Sequence, residues 1–212
     1  MKILIVGASG MIGGEALIQC LAHPRITNVV AFVRRDLPAD VSGHPKLEAM
    51  GSYTGSLTVD LEYPLAFLEN MARVLETKPS RPQFRYVQLS GKFVRQNQEE
   101  KLWWGDKPRK LKGLLDTKAL AIAKSHATIW KTFVVKPGGV VPKKMMDGGV
   151  LGAITKVGVV LGENWSIRVD ELGAFMTYLA IDGEGEELII ENARIVRKGR
   201  ELLGSQKDGS KS

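Results

Sequence analysis

Apolar and polar residues follow two patterns along the chain, and each predicts a type of secondary structure. Short apolar segments, typical of buried strands, lie at 2–6, 28–33, 84–89 and 132–135, with shorter examples at 46–50 and 187–190. Apolar residues at helical spacing occupy the segments 15–22, 65–76, 111–125 and 170–181. Strands that alternate with helices predict an α/β fold with a doubly wound, mostly parallel sheet.

The middle of the chain is too short for a complete sheet of this kind. The segment from Asp36 to Gln83 supplies one short strand and one helix. A full doubly wound sheet places two further strands and their crossovers at this point. The sequence therefore predicts that one β-α unit is missing.

Three glycines stand between the first strand and the first helix. Gly7 permits a tight turn, Gly10 lets the backbone approach phosphates, and Gly13 lets the helix pack against the strand. The N–H groups at the start of the helix then face a pyrophosphate. This order predicts a Rossmann-type dinucleotide site, lined by Gly7, Ser9, Gly10, Met11, Ile12 and Gly13. The alternative is a glycine-rich turn that binds nothing.

The end of the second strand carries two arginines. Arg34 follows Gly13 by about 20 residues, the interval at which dinucleotide-binding folds read the adenosine ribose. A carboxylate here favours NAD, whereas arginine accommodates the 2′-phosphate of NADP because its planar fork donates two hydrogen bonds. Arg34 and Arg35 therefore favour NADP over NAD. A solvated arginine pair is the alternative.

The net charge of +7 is concentrated in the second half of the chain. Between Lys92 and Lys144, thirteen lysines and arginines stand against four aspartates and glutamates. Such a segment can attract nucleic acid, a phosphorylated cofactor or an anionic substrate. Zinc-finger spacing and aromatic RNA-binding motifs are absent from the sequence, so we expect a small-molecule substrate and no nucleic-acid partner.

Length and composition predict one folded domain. We expect it to span residues 1–203, with substrate-pocket elements in its last third, and to be followed by a disordered tail at 204–212. The single cysteine, Cys20, excludes a disulfide framework and a cysteine-based metal site. Together with the lack of any run of eighteen apolar residues, this predicts a cytoplasmic protein without a membrane partner.

In these features the sequence resembles the atypical short-chain dehydrogenase/reductase family, in particular its NmrA-like and Tat-interacting-protein-like members. The resemblance spans about residues 2 to 200. It rests on the glycine motif, the Val33-Arg34-Arg35 strand end, Leu89-Ser90, the Lys136-Pro137-Gly138 turn and Glu191-Asn192. It implies that Pro137 and Gly138 contribute to the cofactor site.

The resemblance also implies a catalytic set. Competent members use a serine at the end of a central strand and a Tyr-x-x-x-Lys pair on the next helix, where the tyrosine exchanges a proton with the substrate. Ser90 matches the serine and Lys118 matches the lysine, but Leu114 occupies the tyrosine position. Lys118 itself, Asp116 or Tyr53 could replace the missing phenol. The alternatives are a solvated lysine and a serine that satisfies a buried backbone group.

Three hypotheses about function follow. The first is an NADP-dependent oxidoreductase that acts on a small or polycyclic carbonyl or enone. The second keeps the fold but catalyses isomerisation, dehydration or cyclisation without hydride transfer. The third is a non-catalytic NADP sensor that binds a protein partner. The fold alone does not choose among them.

Overall fold

The computed structural model describes residues 1–50, 61–77, 83–97, 99, 106–143 and 164–209. Eight strands and six helices lie in these ranges. In chain order they are β1 (Lys2–Val6), α1 (Met11–Ala22), β2 (Asn28–Phe32), α2 (Ala39–Ser42), β3 (Leu47–Met50), α3 (Glu62–Glu76), β4 (Phe84–Leu89), α4 (Asp106–Ser125), β5 (Trp130–Lys136), β6 (Gly139–Val141), β7 (Ser166–Arg168), α5 (Val169–Ile181), β8 (Ile189–Glu191) and α6 (Asn192–Gly209).

The chain forms two compact units. The first comprises Met1–Thr54, Pro137–Glu184 and Glu191–Ser212, and the second comprises Gly55–Lys136 and Gly185–Ile190. The expectation of one domain at 1–203 with a tail at 204–212 stays a prediction.

The first unit is built on a parallel sheet in the order β1-β2-β3, and α1 connects β1 to β2. Strands β6 and β7 form a separate parallel pair. Helix α5 packs against both α1 and α6. The apolar faces of α1 and β2 supply most of a buried core that contains Ala8, Leu17, Cys20, Leu21, Ile26, Val29, Ala31, Val33 and Ile181.

The second unit is built on three strands in the order β4-β5-β8, and β4 runs parallel to β5. Helices α3 and α4 pack against each other, and α4 packs on β5. Trp130 is 1% exposed at the centre of their core, where its ring lies edge-on to Phe84 with centroids 4.7 Å apart. Its indole N–H donates to Thr132 Oγ1 at 2.9 Å, so the largest core side chain is also satisfied as a donor.

The α/β class and the parallel pairing predicted from the sequence are confirmed, with strands and helices in the expected order. Between β3 and β4 the described residues hold a single helix, α3, in agreement with the shortened middle. Helices α3 and α4 begin earlier than their apolar patterns indicate. Pro64 and Pro108 lie in their first turns, where a missing N–H costs no helical hydrogen bond.

Helix α6 is the largest difference from the sequence analysis. It begins at Asn192 and continues to Gly209, into the segment for which composition predicts disorder. Among the described residues, each helix is either too short or too polar to cross a lipid bilayer.

Candidate functional site

The glycine turn between β1 and α1 has the conformation that its sequence predicts. Gly7 has φ of 79°, a left-handed conformation that favours glycine. Its N–H donates to the carbonyl of Phe32 at the end of β2 (3.3 Å), and its own carbonyl accepts the N–H of Gly10 (2.9 Å). Backbone hydrogen bonds therefore close the turn and join it to the end of β2.

Gly13 brings α1 directly onto this turn. A Cβ at position 13 would overlap the Gly7 carbonyl group, lying 2.7 Å from its carbon. Gly10 is the N-cap of α1, its lack of a side chain leaves the helix start uncapped, and the first turn contains no acidic residue. The first N–H groups of a helix have no intrahelical partners, so an anion fits here. A turn bounded by glycines and an uncapped helix start together fit a dinucleotide pyrophosphate.

The arginine pair follows β2 in the same unit. Both side chains are exposed. Arg35 Nη2 donates to the backbone carbonyl of Ser9 at 3.3 Å, which ties the end of β2 to the glycine turn. The structure thus places a guanidinium group beside the turn, where the 2′-phosphate of NADP requires a cation.

The Pro137-Gly138 turn is held by a buried asparagine. The Gly138 N–H donates to Asn192 Oδ1 at 2.7 Å, and Asn192 Nδ2 donates to the Ser166 carbonyl at 2.9 Å. A Cβ at Gly138 would overlap the Trp165 carbonyl group. Asn192 of the Glu191-Asn192 motif therefore joins the Pro137-Gly138 turn to Ser166 in β7. The role of Pro137 and Gly138 in cofactor binding stays a prediction.

In the second unit, Ser90 follows β4 and contacts α4. Its hydroxyl donates to Asp116 Oδ2 at 2.5 Å, and the two residues are 8% and 0% exposed. Asp116 Oδ1 is buried and has no hydrogen-bond partner within the described ranges. Ser90 and Asp116 therefore form a buried polar pair with one unused acceptor.

Two lysines and a tyrosine surround this pair. Lys112 lies one helical turn before Asp116, and Lys136 is the last residue of β5. Burial raises the pKa of Asp116, while the Ser90 hydrogen bond and the two ammonium groups oppose that rise. The pKa of Tyr86 is also raised, by burial and by the Asp116 charge, and its hydroxyl donates to Gln88 Oε1 at 2.5 Å. Tyr86 is therefore held neutral and does not resemble an activated phenol.

The close approach of α4 to the chain after β4 depends on Gly113. A Cβ at this position would overlap the backbone of Arg95 and lie 3.0 Å from the Gln96 nitrogen. Gly113 is one turn of α4 before Asp116, on nearly the same face. A bulkier residue there would push the helix away and lengthen the Ser90–Asp116 hydrogen bond.

The predicted pair of Ser90 and Lys118 is not brought together by α4. Two helical positions separate Lys118 from Asp116, which is about 200° around the axis, and the Lys118 side chain is exposed. The lysine on the Asp116 face is Lys112. Tyr53, the third candidate for the missing phenol, lies outside the described residues. The catalytic role assigned to Lys118 stays a prediction.

The sequence did contain a signal for Asp116. Positions 116 and 123 of a helix differ by about 20° around the axis, so Asp116 falls on the apolar face that includes Ala119 and Ala123. A carboxylate on a buried helix face needs a partner. Sequence analysis named Asp116 only as one of three alternatives, because the partner across the packing interface is not visible in a helical pattern.

Comparison with known proteins addresses the fold. No family model and no curated protein sequence matches the chain. A short-chain type dehydrogenase/reductase from Mycobacterium ulcerans matches with a TM-score of 0.60 and 12% identity, over 92% of this chain and 89% of that one. The two chains share an α/β fold.

Two further structures share this α/β fold. The NADPH-dependent 3-quinuclidinone reductase from Rhodotorula rubra has a TM-score of 0.58 and 14% identity, over 91% of this chain and 90% of that one. The dTDP-glucose 4,6-dehydratase from Bacillus anthracis, in complex with NAD, has a TM-score of 0.55 and 15% identity, over 96% and 81%. At such identities the likeness is one of fold, and the chemistry must come from the residues of this chain.

Proposed function

We propose that this protein is an NADP-dependent oxidoreductase of the short-chain type, similar to the NmrA-like members, that acts on a carbonyl or enone of a small or polycyclic substrate in the cytoplasm. The glycine turn carries the proposal, because its backbone geometry and uncapped helix start fit a pyrophosphate. The bound nicotinamide would supply or accept the hydride. The solved structures of the same fold include an NADPH-dependent reductase and an NAD complex.

The residues of this chain have separate tasks in the proposal. The N–H groups at the start of α1 bind the pyrophosphate, and Arg34 and Arg35 bind the 2′-phosphate. Ser90 hydrogen-bonds the substrate oxygen. The basic residues between Lys92 and Lys144 attract an anionic ligand over a longer range.

The cofactor preference can be tested by fluorescence titration with NADPH and NADH. Charge-assisted hydrogen bonds contribute roughly 1.5–3 kcal/mol each, so the loss of one bond from each arginine in Arg34→Ala with Arg35→Ala should weaken NADPH binding about 100-fold or more. NADH affinity should change little, because NADH lacks the 2′-phosphate.

Lys2→Ala with Arg25→Ala is the matched control. It also removes two positive charges. Lys2 is the first residue of β1 and Arg25 precedes β2, whereas Arg34 and Arg35 follow β2. The control should bind NADPH like the wild type. Equal losses in both double variants would show a general charge effect and contradict a 2′-phosphate site. Failure of the wild type to bind either nucleotide would overturn the proposed function.

The Ser90–Asp116 pair supports a second candidate, a non-redox isomerase or dehydratase, because a buried carboxyl can exchange protons without a hydride carrier. Incubation with a panel of ketones and enones separates the two candidates. Product that forms while the absorbance of NADPH falls indicates reduction, and product formed at constant absorbance indicates the second candidate.

A further inference from the structure

We propose that Asp116 replaces the missing catalytic tyrosine by supplying, through the Ser90 hydroxyl, the proton that the substrate oxygen takes up. This inference rests on the proposed function and names the proton source of the same reaction. Its basis is the 2.5 Å hydrogen bond between the two side chains and their burial.

The difference in exposure fixes the order of the proton relay, in which Asp116 passes a proton to Ser90 and Ser90 passes one to the substrate. Asp116 is 0% exposed, so a substrate cannot touch it directly. Ser90 retains 8% exposure and already contacts Asp116 Oδ2. Ser90 is therefore the catalytic residue that meets the substrate oxygen, and Asp116 acts behind it as the proton source.

The surroundings of Asp116 suit a carboxyl group that holds a proton and can release it. Its Oδ1 atom is buried without a partner in the described part of the chain, an arrangement that penalises the ionised form more than the neutral one. Burial correspondingly raises the pKa of Asp116. Lys112, Lys136 and Tyr86 are the titratable groups that act on it, and the two ammonium groups stabilise the carboxylate once it forms.

The proposed step adds one hydride and one proton to the substrate. A reduced nicotinamide cofactor, held by the glycine turn, would supply the hydride that adds to the carbonyl carbon, and the C=O π pair would move to the oxygen. When Asp116 is protonated, its Oδ2–H donates to Ser90 Oγ and the serine O–H turns to the substrate. The substrate oxygen then takes the Ser90 proton while Ser90 Oγ takes the proton of Asp116 Oδ2. The products would be an alcohol, the oxidised nicotinamide and an Asp116 carboxylate. Because Asp116 is buried, it would regain its proton from water through the Ser90 hydroxyl after the alcohol leaves.

Other side chains near the pair do not provide the same proton path. Tyr86 is engaged with Gln88, and the rise in its pKa makes the phenol a poorer acid. Lys118 is exposed and lies on another face of α4. Among the described residues, Asp116 is the acid that contacts Ser90.

The test compares Asp116→Asn, Asp116→Glu, Ser90→Ala and the control Glu69→Gln, which removes a carboxylate from the exposed surface of α3. Asp116→Asn should lower kcat about 100- to 10,000-fold, the range of general acid catalysis, with NADPH affinity within twofold of the wild type. Asp116→Glu should recover part of the rate. Glu69→Gln should behave as wild type.

The pH profile separates a proton source from a structural role. Wild-type reduction requires protonated Asp116, so kcat should fall tenfold per pH unit above the raised pKa of this residue. The residual kcat of Asp116→Asn should not show this fall with pH, and in Asp116→Glu the fall should begin at a different pH. If Asp116→Asn does not fold, as judged by circular dichroism, the wild type and Asp116→Glu are compared. A fall in kcat that begins at different pH values in the two supports Asp116 as the proton source, and a fall at the same pH contradicts it.

The possible failures are distinguishable. An active wild type whose Asp116→Asn variant keeps its kcat, or keeps the same fall of kcat with pH, overturns the relay and leaves the proposed function standing. A wild type that binds no nucleotide, or turns over no carbonyl in the panel, overturns the proposed function and the relay with it.

Discussion

Asp116 has two opposing properties at the scale of the single residue. Its burial is complete, and the ionised form is disfavoured by that burial, yet the chain keeps a carboxyl there. Apolar side chains fill the neighbouring positions of the same helix face, including Ala119 and Ala123. An ionisable group retained in such surroundings lowers stability, which is expected where function requires it.

The stability cost of Asp116 depends on pH. Its pKa is raised in the folded state, so the folded protein binds more protons than the unfolded chain between the ordinary and the raised value. Wild-type stability should therefore fall as pH rises through this window and stay reduced above it. Asp116→Asn cannot ionise and should lack this fall. The two melting temperatures should agree near pH 4, and the variant should be a few degrees higher at pH 8.

Thermal unfolding from pH 4 to 8, followed by circular dichroism, measures this difference. Asp182→Asn is the control, since Asp182 is an exposed residue at the end of α5. Parallel pH curves for wild type and Asp116→Asn would contradict the raised pKa.

At the scale of the elements, the position of helix α1 depends on Gly13, which has no side chain and lets the helix contact the glycine turn. Gly13 allows backbone-to-backbone contact with Gly7, and the same α1 packs against α5 on its other side. The helix is thus held between the turn and a second helix. An added methyl group at position 13 has no flexible side chain to displace, because the atoms that it meets are backbone.

Gly13→Ala should therefore destabilise the protein by about 1–3 kcal/mol, the usual cost of overpacking, and should weaken NADPH binding. Gly43→Ala is a matched control, because residue 43 has φ of −83° and a Cβ there meets no atom within 4 Å. Urea unfolding of both variants measures the difference. Equal free energies of unfolding would show that the turn can shift to accept a side chain.

Much of the element order was predictable from the sequence, because β1, β2, α4 and β5 each carry enough apolar residues to set a period. The short elements α2, β6 and β7 were missed, since three or four residues set a period only weakly. Strands β3 and β8 are as short, and they were predicted from the apolar segments in which they lie. The end of α6 was assigned to a disordered tail because it is rich in Gly, Ser, Lys and Gln. The Ser90–Asp116 contact was missed for a different reason: it depends on how α4 is rotated against β4, which no local pattern records.

At the scale of the whole molecule, the sequence composition and the structure differ on which residue is the last of the folded part. Sequence composition ends the domain at residue 203, whereas α6 runs to Gly209. These alternatives differ at Gly204, which is inside the helix and has free space around it.

Gly204→Ala distinguishes them. In a helix interior alanine is more favourable than glycine by about 1 kcal/mol, so the variant should be more stable by up to that amount. In a disordered tail the substitution should change nothing. Chemical denaturation measures the free energy of unfolding, and Gly43→Ala again serves as the control outside a helix interior. An unchanged midpoint would support the composition-based boundary at 203.

The packing of Gly113 against the backbone of Arg95 and Gln96 has a consequence for finding related proteins. A search for short-chain enzymes that requires Tyr-x-x-x-Lys passes over this chain, since Leu114 stands at the tyrosine position. A search pattern built from the contact itself would ask for a serine closing a strand and, on the next helix, Gly-x-x-Asp in the spacing of Gly113 and Asp116. Sequences found in this way would show how often the Gly-x-x-Asp spacing occurs without Tyr-x-x-x-Lys.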